Sequence, residues 1–329
     1  MSFYNNKKVL ITGGSGMIGR PLIKMLTERG AKVRVTSLDE PIKNLGEIDF
    51  QKADLTHLEN CVSACKDMDL VFHLAGIKGS AKIVSEKPAT FFFGNLSINT
   101  NMMEAARRCG AERYLVTSTV GVYSPAEVFY EDDVWKTFPS EKDKFAGWAK
   151  RMGELQAEAY SLQYKWDKIT IVRPANVYGP YDSFGAANAM VVPSLIKRAV
   201  DGENPFVVWG DGSGTRDFVY SEDVARGMTM ALEKCPGPNK PINLGSGTGY
   251  SIKNLVNIII GNLEKKPEVV WDTNKPRGDR KRILDISRAK DLLGWEPQMT
   301  LEEGVRKTMD WYKINKEAVS DRYSAFNEK

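Results

Sequence analysis

The sequence predicts an α/β protein in which a doubly wound parallel sheet is joined to a smaller C-terminal α/β lobe. Short apolar runs alternate with amphipathic helical patterns through the first half of the chain, as is typical of parallel sheets covered by helices. A chain of 329 residues with 42% hydrophobic content can bury a core large enough for two lobes. The pattern changes after Arg173 and Pro174, where a loop over Gly179–Ala187 begins the second lobe. We therefore place the larger domain at residues 1–173, with a return segment at about 216–245, and the smaller lobe at 174–215 and 246–329.

Each element of this arrangement has a local signal. The predicted strands are the apolar runs Val9–Ile11, Lys32–Ser37, Leu70–Leu74, Tyr114–Thr117, Ile169–Val172, Phe206–Trp209 and Pro241–Leu244. The predicted helices have apolar residues at helical spacing and cover Leu58–Cys65, Asn95–Cys109, Trp148–Tyr164, Val192–Val200 and Ser221–Leu232. A further helix is expected to run from the first glycine-rich turn to Arg29, and the tail Asp321–Lys329 is expected to be loose.

The most informative turn follows the first strand, where Gly13, Gly16 and Gly19 recur at three-residue spacing. Gly13 permits a sharp turn, Gly16 lets backbone amides approach a pyrophosphate, and Gly19 lets the helix pack closely on its strand. The positive end of the helix then faces the anion, with Met17 and Ile18 between the last two glycines. A tight structural turn would use similar glycines, but the strand before and the helix after favour a dinucleotide cradle of the Rossmann type.

Residues that follow the strands are the other candidates for the cradle, because a dinucleotide crosses the carboxyl ends of the strands in such a sheet. Asp39 lies near the end of the second strand, where a carboxylate accepts hydrogen bonds from the adenine ribose and favours NAD over NADP. The expected position of that carboxylate is Ser37, which leaves room for a 2′-phosphate, and Arg34 is close in sequence, so NAD is preferred and NADP stays open.

The remaining candidates for binding the coenzyme lie after the third, fourth and later strands. They are Asp54, Leu55, Leu74, Ala75, Gly76, Thr117, Lys150 and Pro174. For Asp54, a turn residue or a helix N-cap is an equally good interpretation.

Composition argues against several classes of protein. The four cysteines are scattered and only two histidines are present, so we expect free thiols, no metal centre and no Ser-His-Asp hydrolase. The net charge of +4 is spread without a basic run, so nucleic acid is not an expected partner. No apolar run approaches the roughly 18 residues of a membrane span and no hydrophobic leader precedes Lys8, so we expect a cytoplasmic protein without a membrane partner.

A series of motifs runs along the chain in a recognisable order. The motifs are Thr12–Gly19, His73–Gly76, Asn95, Thr117–Thr119, Lys150, Arg173–Pro180 and Thr215–Phe218. Together they resemble the extended short-chain dehydrogenase/reductases, which are NAD(P)-dependent epimerases, dehydratases and reductases of nucleotide-activated sugars. The match runs from about Lys8 to Tyr312, so it is more specific than the glycine turn alone. The resemblance implies NAD or NADP as cofactor and a nucleoside-diphosphate sugar as substrate.

The resemblance also implies where the chemistry lies. Oxidation of a sugar carbinol needs a base for the hydroxyl proton, and a tyrosinate serves when nearby positive charge lowers its pKa from about 10. A lysine four residues later on a helix faces the same way and provides that charge. Lys150 is present, but Ala146 occupies the tyrosine position. Thr119, with Ser118 beside it, is expected to hydrogen-bond the hydroxyl that is oxidised.

Two explanations of Ala146 remain open. The alanine is a deliberate replacement that inactivates the enzyme, or the protein is a natural relative with another acid or base, or with none. We prefer the first, because the neighbouring features of the site are retained. Phe145 is adjacent but cannot ionise, and a one-residue shift turns a side chain by about 100° around the helix. Tyr123 falls on the Val-Tyr position after the Thr/Ser strand, so it is not the expected replacement.

The second lobe contains the expected substrate pocket. Val207–Gly210 and Lys275–Gly278 are similar to segments of the GDP-L-fucose synthase branch of the family, which implies a nucleotide-sugar site there. Guanidinium groups form paired hydrogen bonds with phosphate oxygens, so Arg216 is the main candidate for the diphosphate. The full set of substrate candidates is Lys78, Asn176, Val192, Trp209, Arg216, Lys275 and Arg280.

Elimination within the family narrows the reaction. The dehydratases carry an Asp-Glu pair after the catalytic threonine, whereas this chain has Val120 and Gly121. GDP-L-fucose synthase epimerises with a Cys and a His, at whose positions this chain has Gly121 and Met190. An epimerase that oxidises C4 and reduces the keto-sugar from the other face, as UDP-glucose 4-epimerase does, is therefore our first hypothesis. A 4-keto-sugar reductase and a non-catalytic NAD(P)-binding sensor are the alternatives, and helices Asn95–Cys109 and Trp148–Tyr164 imply a homodimer.

Overall fold

A computed structural model of the chain describes residues 2–41, 48–79, 81–185, 189–275 and 280–318, so the predicted tail Asp321–Lys329 and the end of the predicted loop Gly179–Ala187 lie outside the described residues. The strands are β1 (Lys8–Thr12), β2 (Lys32–Ser37), β3 (Asp49–Lys52), β4 (Leu70–His73), β5 (Arg113–Thr117), β6 (Val128–Phe129), β7 (Ile169–Pro174), β8 (Asn176–Tyr178), β9 (Phe206–Trp209), β10 (Thr215–Tyr220), β11 (Ile242–Leu244), β12 (Gly249–Ser251), β13 (Val269–Asp272) and β14 (Lys281–Leu284). The helices are α1 (Gly19–Glu28), α2 (Leu58–Cys65), α3 (Ala81–Glu86), α4 (Pro88–Arg108), α5 (Lys144–Tyr164), α6 (Val191–Val200), α7 (Ser221–Lys234), α8 (Ile252–Gly261), α9 (Ser287–Leu293) and α10 (Leu301–Asn315).

The large sheet has the strand order β11-β7-β5-β4-β1-β2-β3, and its recorded pairings are parallel. Val9 of β1 is paired with Val33 on one side and with Leu70 on the other. The chain order therefore reverses at β1, and a crevice opens between the carboxyl ends of β1 and β4. The predicted Rossmann-type, doubly wound sheet is confirmed.

The second lobe is built on shorter strands. One sheet has the order β12-β10-β14-β6, with β8 paired to β10, and a two-stranded sheet joins β13 to β9. Because β10 belongs to this lobe, the chain re-enters the large domain with α7, which packs against α1, and with β11. One apolar core lies on each face of the large sheet, and a third fills the second lobe.

Two long helices begin earlier than the sequence pattern predicts. Helix α4 starts at Pro88 rather than Asn95, because proline suits the first helical turn and Phe91 is buried within that turn. Helix α5 starts at Lys144 rather than Trp148, because Gly147 packs tightly against a neighbouring turn and extends the packed face. The start of α4 thus had a local signal in Pro88, whereas the start of α5 depends on a tertiary contact of Gly147.

Three properties of the described residues bear on the class of protein. None of the helices there is long and apolar enough to cross a membrane. No group of three or more His, Cys, Asp or Glu side chains is arranged to hold a metal ion within the same ranges. The four cysteines are free thiols, and burial raises the pKa of the Cys61 thiol to about 12.

Candidate active site

A cavity of about 340 Å³ lies where β1, β2 and β4 end, at the reversal of strand order. Most of the residues predicted to bind a coenzyme form its walls, together with the predicted substrate residue Lys78. The predicted residues in these walls are Gly13, Gly16, Met17, Ile18, Gly19, Ser37, Asp39, Asp54, Leu55, Leu74, Ala75, Gly76 and Lys78. Thr117 and Pro174 end β5 and β7, further along the same edge of the sheet.

The glycine turn leaves no room for side chains. A Cβ atom at Gly13, where φ is +67°, would lie 3.0 Å from the backbone nitrogen of Ala75. A Cβ atom at Gly19 would lie 2.5 Å from the Cα atom of Gly14. These two glycines therefore let the turn pack closely against the loop after β4 and against the start of α1, and the turn with Gly16 lines the cavity.

Polar side chains at the end of β2 close one side of the cavity. The Ser15 hydroxyl donates to Asp39 Oδ2 at 2.6 Å and lies 2.7 Å from the Ser37 hydroxyl. Arg34 is engaged elsewhere, because its Nε donates to Asp49 at 2.6 Å and its Nη1 donates to two backbone carbonyls at the end of α2. The carboxylate of Asp39 thus stands in the cavity wall, while Arg34 is held away from it.

Asp54 is both a turn residue and part of the cavity wall, the two roles that the sequence left open. Its Oδ1 accepts hydrogen bonds from the amide and the hydroxyl of Thr56 at 2.9 and 2.8 Å, which is a local turn. The same residue lines the cavity beside Leu55.

The loop after β4 is held from two sides. Asn95 of α4 accepts from the Ile77 amide at 3.0 Å and donates to the Ile77 carbonyl at 3.2 Å. Lys78 donates to Asp182 Oδ1 at 2.7 Å, and Asp182 is almost fully buried in the loop after β8. This ion pair joins the two domains at the edge of the cavity.

Helix α5 brings the predicted catalytic positions to the same edge. A Cβ atom at Gly147 would lie 2.5 Å from the Gly121 carbonyl oxygen and 2.6 Å from Pro139 Cβ, so the helix packs closely on the turn after β5. That turn begins with Thr119, whose Oγ1 accepts from the Gly121 amide at 3.2 Å.

Lys150 of α5 does not line the cavity itself but lies beside Gly76, which does. Its Nζ lies 3.7 Å from the point where a Cβ of Gly76 would stand, and Gly76 lines the cavity. The same Nζ donates to Asn99 Oδ1 at 3.4 Å. Burial lowers the pKa of Lys150 to about 8, and the nearby carboxylate of Glu154 partly opposes that shift.

Neither Phe145 nor Tyr123, the two aromatic residues weighed for this role, takes the place of the missing tyrosine. Phe145 packs edge-on against Phe92 of α4, with ring centroids 6.3 Å apart. Tyr123 is buried and donates to Asn243 Oδ1 at 2.6 Å, and burial raises the pKa of its phenol.

Ser118 faces the interior rather than an open site. Its hydroxyl donates to Glu154 Oε1 at 2.5 Å, and Arg173 binds the same carboxylate at 2.6 and 3.0 Å. The expected contact of Ser118 with substrate is therefore replaced by a buried network, because the serine is almost fully covered. Thr119, which is half-buried, remains the hydroxyl of this pair nearer the surface.

The second lobe places two arginines side by side. Arg216 of β10 is the register partner of Arg282 of β14, so both stand at one position of a parallel pair. Arg282 Nη2 lies 2.5 Å from Asp143 Oδ2 at the start of α5. Trp209 is 62% exposed at the end of β9, and Lys275 Nζ lies 5.7 Å from its ring centroid.

The other predicted substrate residues fall in different environments. Arg280 is exposed, and its carbonyl accepts from the Thr215 amide at 2.9 Å. Asn176 Nδ2 donates to the Asp217 carbonyl at 2.9 Å. Val192 is a correction, because its side chain is 2% exposed and packs in the core of the second lobe.

Sequence reasoning missed three side chains near the catalytic positions. Asn99 follows Asn95 by one helical turn, which is the only local signal for it. Arg282 belongs to the basic segment after Lys275 but was not singled out, and Asp143 gave no signal because its partner is distant in sequence.

The fold and the cradle define a dinucleotide-binding α/β protein. Residues 9–245 match the model of the NAD dependent epimerase/dehydratase family, so the chain belongs to this family of extended short-chain dehydrogenase/reductases. It is 30% identical to GDP-L-fucose synthase of Sinorhizobium fredii, covering 96% of this chain and 98% of the relative. It is 29% identical to dTDP-4-dehydro-6-deoxy-D-allose reductase of Streptomyces, covering 94% of this chain and 97% of the relative. The structure of UDP-glucose 4-epimerase from Thermotoga maritima with UDP-glucose matches with a TM-score of 0.80 and 30% identity. The match covers 94% of this chain and 99% of that structure's chain.

Proposed function

We propose that the protein is a 4-epimerase of a nucleoside-diphosphate sugar that works with NAD and whose rate is limited by the alanine at position 146. The observation that carries this proposal is the position of Lys150, whose Nζ lies next to Gly76 in the wall of the dinucleotide cavity. A bound nicotinamide supplies a reversible acceptor for the hydrogen of the sugar carbon. We infer that Thr119 orients the sugar hydroxyl, which is supported by the packing of its turn against the helix that carries Lys150.

The choice of NAD rests on the charges at the end of β2. Asp39 presents a carboxylate in the cavity wall, which accepts hydrogen bonds from ribose hydroxyls and repels a 2′-phosphate. The nearby cation Arg34 is bound to Asp49 and to backbone carbonyls.

A nucleoside diphosphate suits the second lobe. Arg216 is the candidate for the diphosphate, because a guanidinium group binds phosphate oxygens with charge-assisted hydrogen bonds, whereas Arg282 at the paired register position is bound to Asp143. The exposed ring of Trp209 offers a surface on which a base can stack, with the cationic Lys275 beside it. The three relatives named above carry UDP-, GDP- or dTDP-linked sugars in their names or structures, which supports the same substrate class here.

A reductase of a nucleotide-linked 4-keto-sugar is the second candidate. It is favoured by the similarity to the Streptomyces reductase over 94% of the chain. Gly121 has no side chain that could transfer a proton. This suits both the 4-epimerase and the 4-keto-sugar reductase, since neither requires a further proton transfer at a neighbouring sugar carbon.

The decisive experiment compares the protein with alanine at position 146 with its Ala146→Tyr variant. Each is incubated with NAD and a panel of UDP-, GDP- and dTDP-hexoses, and the C4 epimers are separated by chromatography. We expect interconversion without net NADH formation, and a gain of about 10²-fold or more when the phenol is introduced. Lys150→Met should abolish the reaction, whereas Lys144→Met, at an exposed lysine of the same helix, should not.

Other outcomes separate the alternatives. Consumption of NADH or NADPH with a 4-keto-sugar, without epimerisation, would establish the reductase. Coenzyme binding without turnover in either protein would favour a sensor, and absence of both binding and turnover would refute the proposal.

We also propose that the protein is a homodimer joined through α4 and α5, in a cytoplasmic setting. Phe93 of α4 and Leu155 and Leu162 of α5 are exposed apolar residues on these helices. The free thiols suit a reducing compartment. Light scattering should give twice the monomer mass, and Leu162→Glu should shift the equilibrium toward monomer.

A further inference from the structure

The proposed reaction needs a group that takes the proton of the sugar hydroxyl, and no phenol stands at Ala146. Resting on the proposed function, we propose that the amine of Lys150 itself takes and returns this proton, and that Asn99 positions the amine. Ala146 lies one helical turn before Lys150 on the same face of α5, so its methyl group leaves room where a phenol would separate the amine from the sugar.

A chain of buried hydrogen bonds fixes the oxygen that faces the amine. Asn99 Oδ1 lies 3.4 Å from Lys150 Nζ and 3.1 Å from His73 Nε2, and Asn99 is 3% exposed. His73 Nδ1 lies 2.9 Å from the Thr12 hydroxyl, which accepts hydrogen bonds from two backbone amides after β4. The Thr12 proton therefore points to Nδ1, so Nε2 carries the hydrogen that is donated to Asn99.

The electrostatics around Lys150 suit proton exchange near neutral pH. The nearest acceptor is a neutral amide, and burial lowers the pKa of the ammonium to about 8. Burial also lowers the pKa of His73 to about 3, so that ring is uncharged. The nearby carboxylate, Glu154 on α5, is bound by Arg173 and Ser118.

The step balances without a further reagent. The O–H bond of the sugar hydroxyl breaks as its proton forms an N–H bond at Lys150 Nζ, and the carbonyl forms as the C–H electron pair leaves with its hydrogen to the oxidised coenzyme. Reduction of the keto-sugar reverses both transfers, and Lys150 gives the proton back to the oxygen.

The sharpest test changes the charge at Asn99 and follows the pH dependence of kcat/KM. In the wild-type protein, kcat/KM should rise through an apparent pKa near 8, since the neutral amine is the base. Asn99→Asp places a carboxylate against the ammonium and should raise this apparent pKa by about one to three units, with about a tenfold loss at pH 7 per unit. Asn99→Leu removes the oxygen that accepts a hydrogen bond from the ammonium, so it should lower the apparent pKa. A profile that moves in neither variant, while both bind coenzyme and melt like the wild type, would overturn the proposal.

Three further variants separate this proposal from its alternatives. Lys150→Arg keeps the positive charge but cannot release a proton, so it should bind coenzyme and lose kcat by about 10²-fold or more. Retained kcat in Lys150→Arg, or loss of activity in Asp143→Asn instead, would assign the base elsewhere. If Ala146→Tyr is active and the wild type is inactive at every pH, the lysine proposal fails while the proposed function stands. If neither protein binds coenzyme or turns over, the proposed function itself fails.

Discussion

Glu154 and Arg173 form a buried two-pronged ion pair that ties helix α5 to strand β7, with oxygen-to-nitrogen distances of 2.6 and 3.0 Å. Both side chains are almost fully covered, at 2% and 1% exposure, so each charge depends on the other. The Ser118 hydroxyl adds a third hydrogen bond to the same carboxylate. The pair therefore fixes the depth of α5 against the sheet that carries the catalytic edge.

Removal of one member should leave an uncompensated buried charge. Glu154→Gln is expected to lower the free energy of unfolding by about 3–5 kcal/mol, measured by urea denaturation. The control is Glu28→Gln, since Glu28 and Lys24 form an exposed pair at 4.0 Å whose loss should cost at most about 0.5 kcal/mol. Equal stability of the two variants would contradict the role given to the buried pair.

Two glycines of α5 should respond in opposite ways to alanine. Gly147→Ala forces a Cβ within 2.5 Å of the Gly121 carbonyl oxygen, so we expect a loss of about 1–3 kcal/mol and a fall in kcat. Gly153→Ala meets Asn99 Cβ at an ordinary 3.7 Å and should be neutral or stabilising by up to about 1 kcal/mol, because alanine favours helix. Thermal denaturation and steady-state kinetics of the two variants check both signs.

The coenzyme preference should depend on Asp39. Asp39→Asn removes the charge that repels a 2′-phosphate and weakens the ribose contacts, so the affinity ratio of NAD to NADP should fall about tenfold. Titration of tryptophan fluorescence with each coenzyme gives the two dissociation constants. Arg34→Gln is the control, because Arg34 is bound to Asp49 and should leave the ratio unchanged. A ratio that moves only in the Arg34 variant would reverse the assignment.

Stability should fall at acid pH because of His73. Its pKa is lowered by burial from 6.5 to about 3, so the unfolded chain binds the proton first as the pH falls. This contribution is complete above pH 6.5 and is lost progressively as the pH falls toward 3, with a slope of up to about 1.4 kcal/mol per pH unit. Urea midpoints between pH 7 and 5 should fall more steeply in the wild type than in His73→Gln. The control is His57→Gln. Because the His57 side chain is 60% exposed, this variant should keep the original dependence of the urea midpoint on pH.

Local patterns were sufficient for much of the fold. Lys32–Ser37, Leu58–Cys65 and Phe206–Trp209 have the predicted bounds, because each is an apolar pattern bounded by polar or turn residues. The early start of α5 was not predictable, since it depends on the contact of Gly147 with the turn after β5, whereas Pro88 was an unused local signal for the start of α4.

In the candidate site too, residues close in sequence were predictable and pairs from separate elements were not. The glycine cradle is contiguous in sequence, and its predicted residues meet in one cavity. The pairing of Asn99 with Lys150 and of Asp143 with Arg282 joins separate elements, so no spacing rule reveals it. Val192 shows the reverse error, because this apolar residue was predicted to contact substrate and lies in the core of the second lobe.

Helix α5 carries the lysine at the cradle, the glycine that seats it on the neighbouring turn and the glutamate that anchors it to the sheet. The same helix therefore contributes to both stability and catalysis. A small displacement of α5 would change the packing at Gly147 and Glu154 and the position of Lys150. A substitution that shifts this helix, as Gly147→Ala is expected to do, should lower kcat without removing a reacting group. Mutational surveys scored only by product formation would therefore overcount reactive groups in this segment.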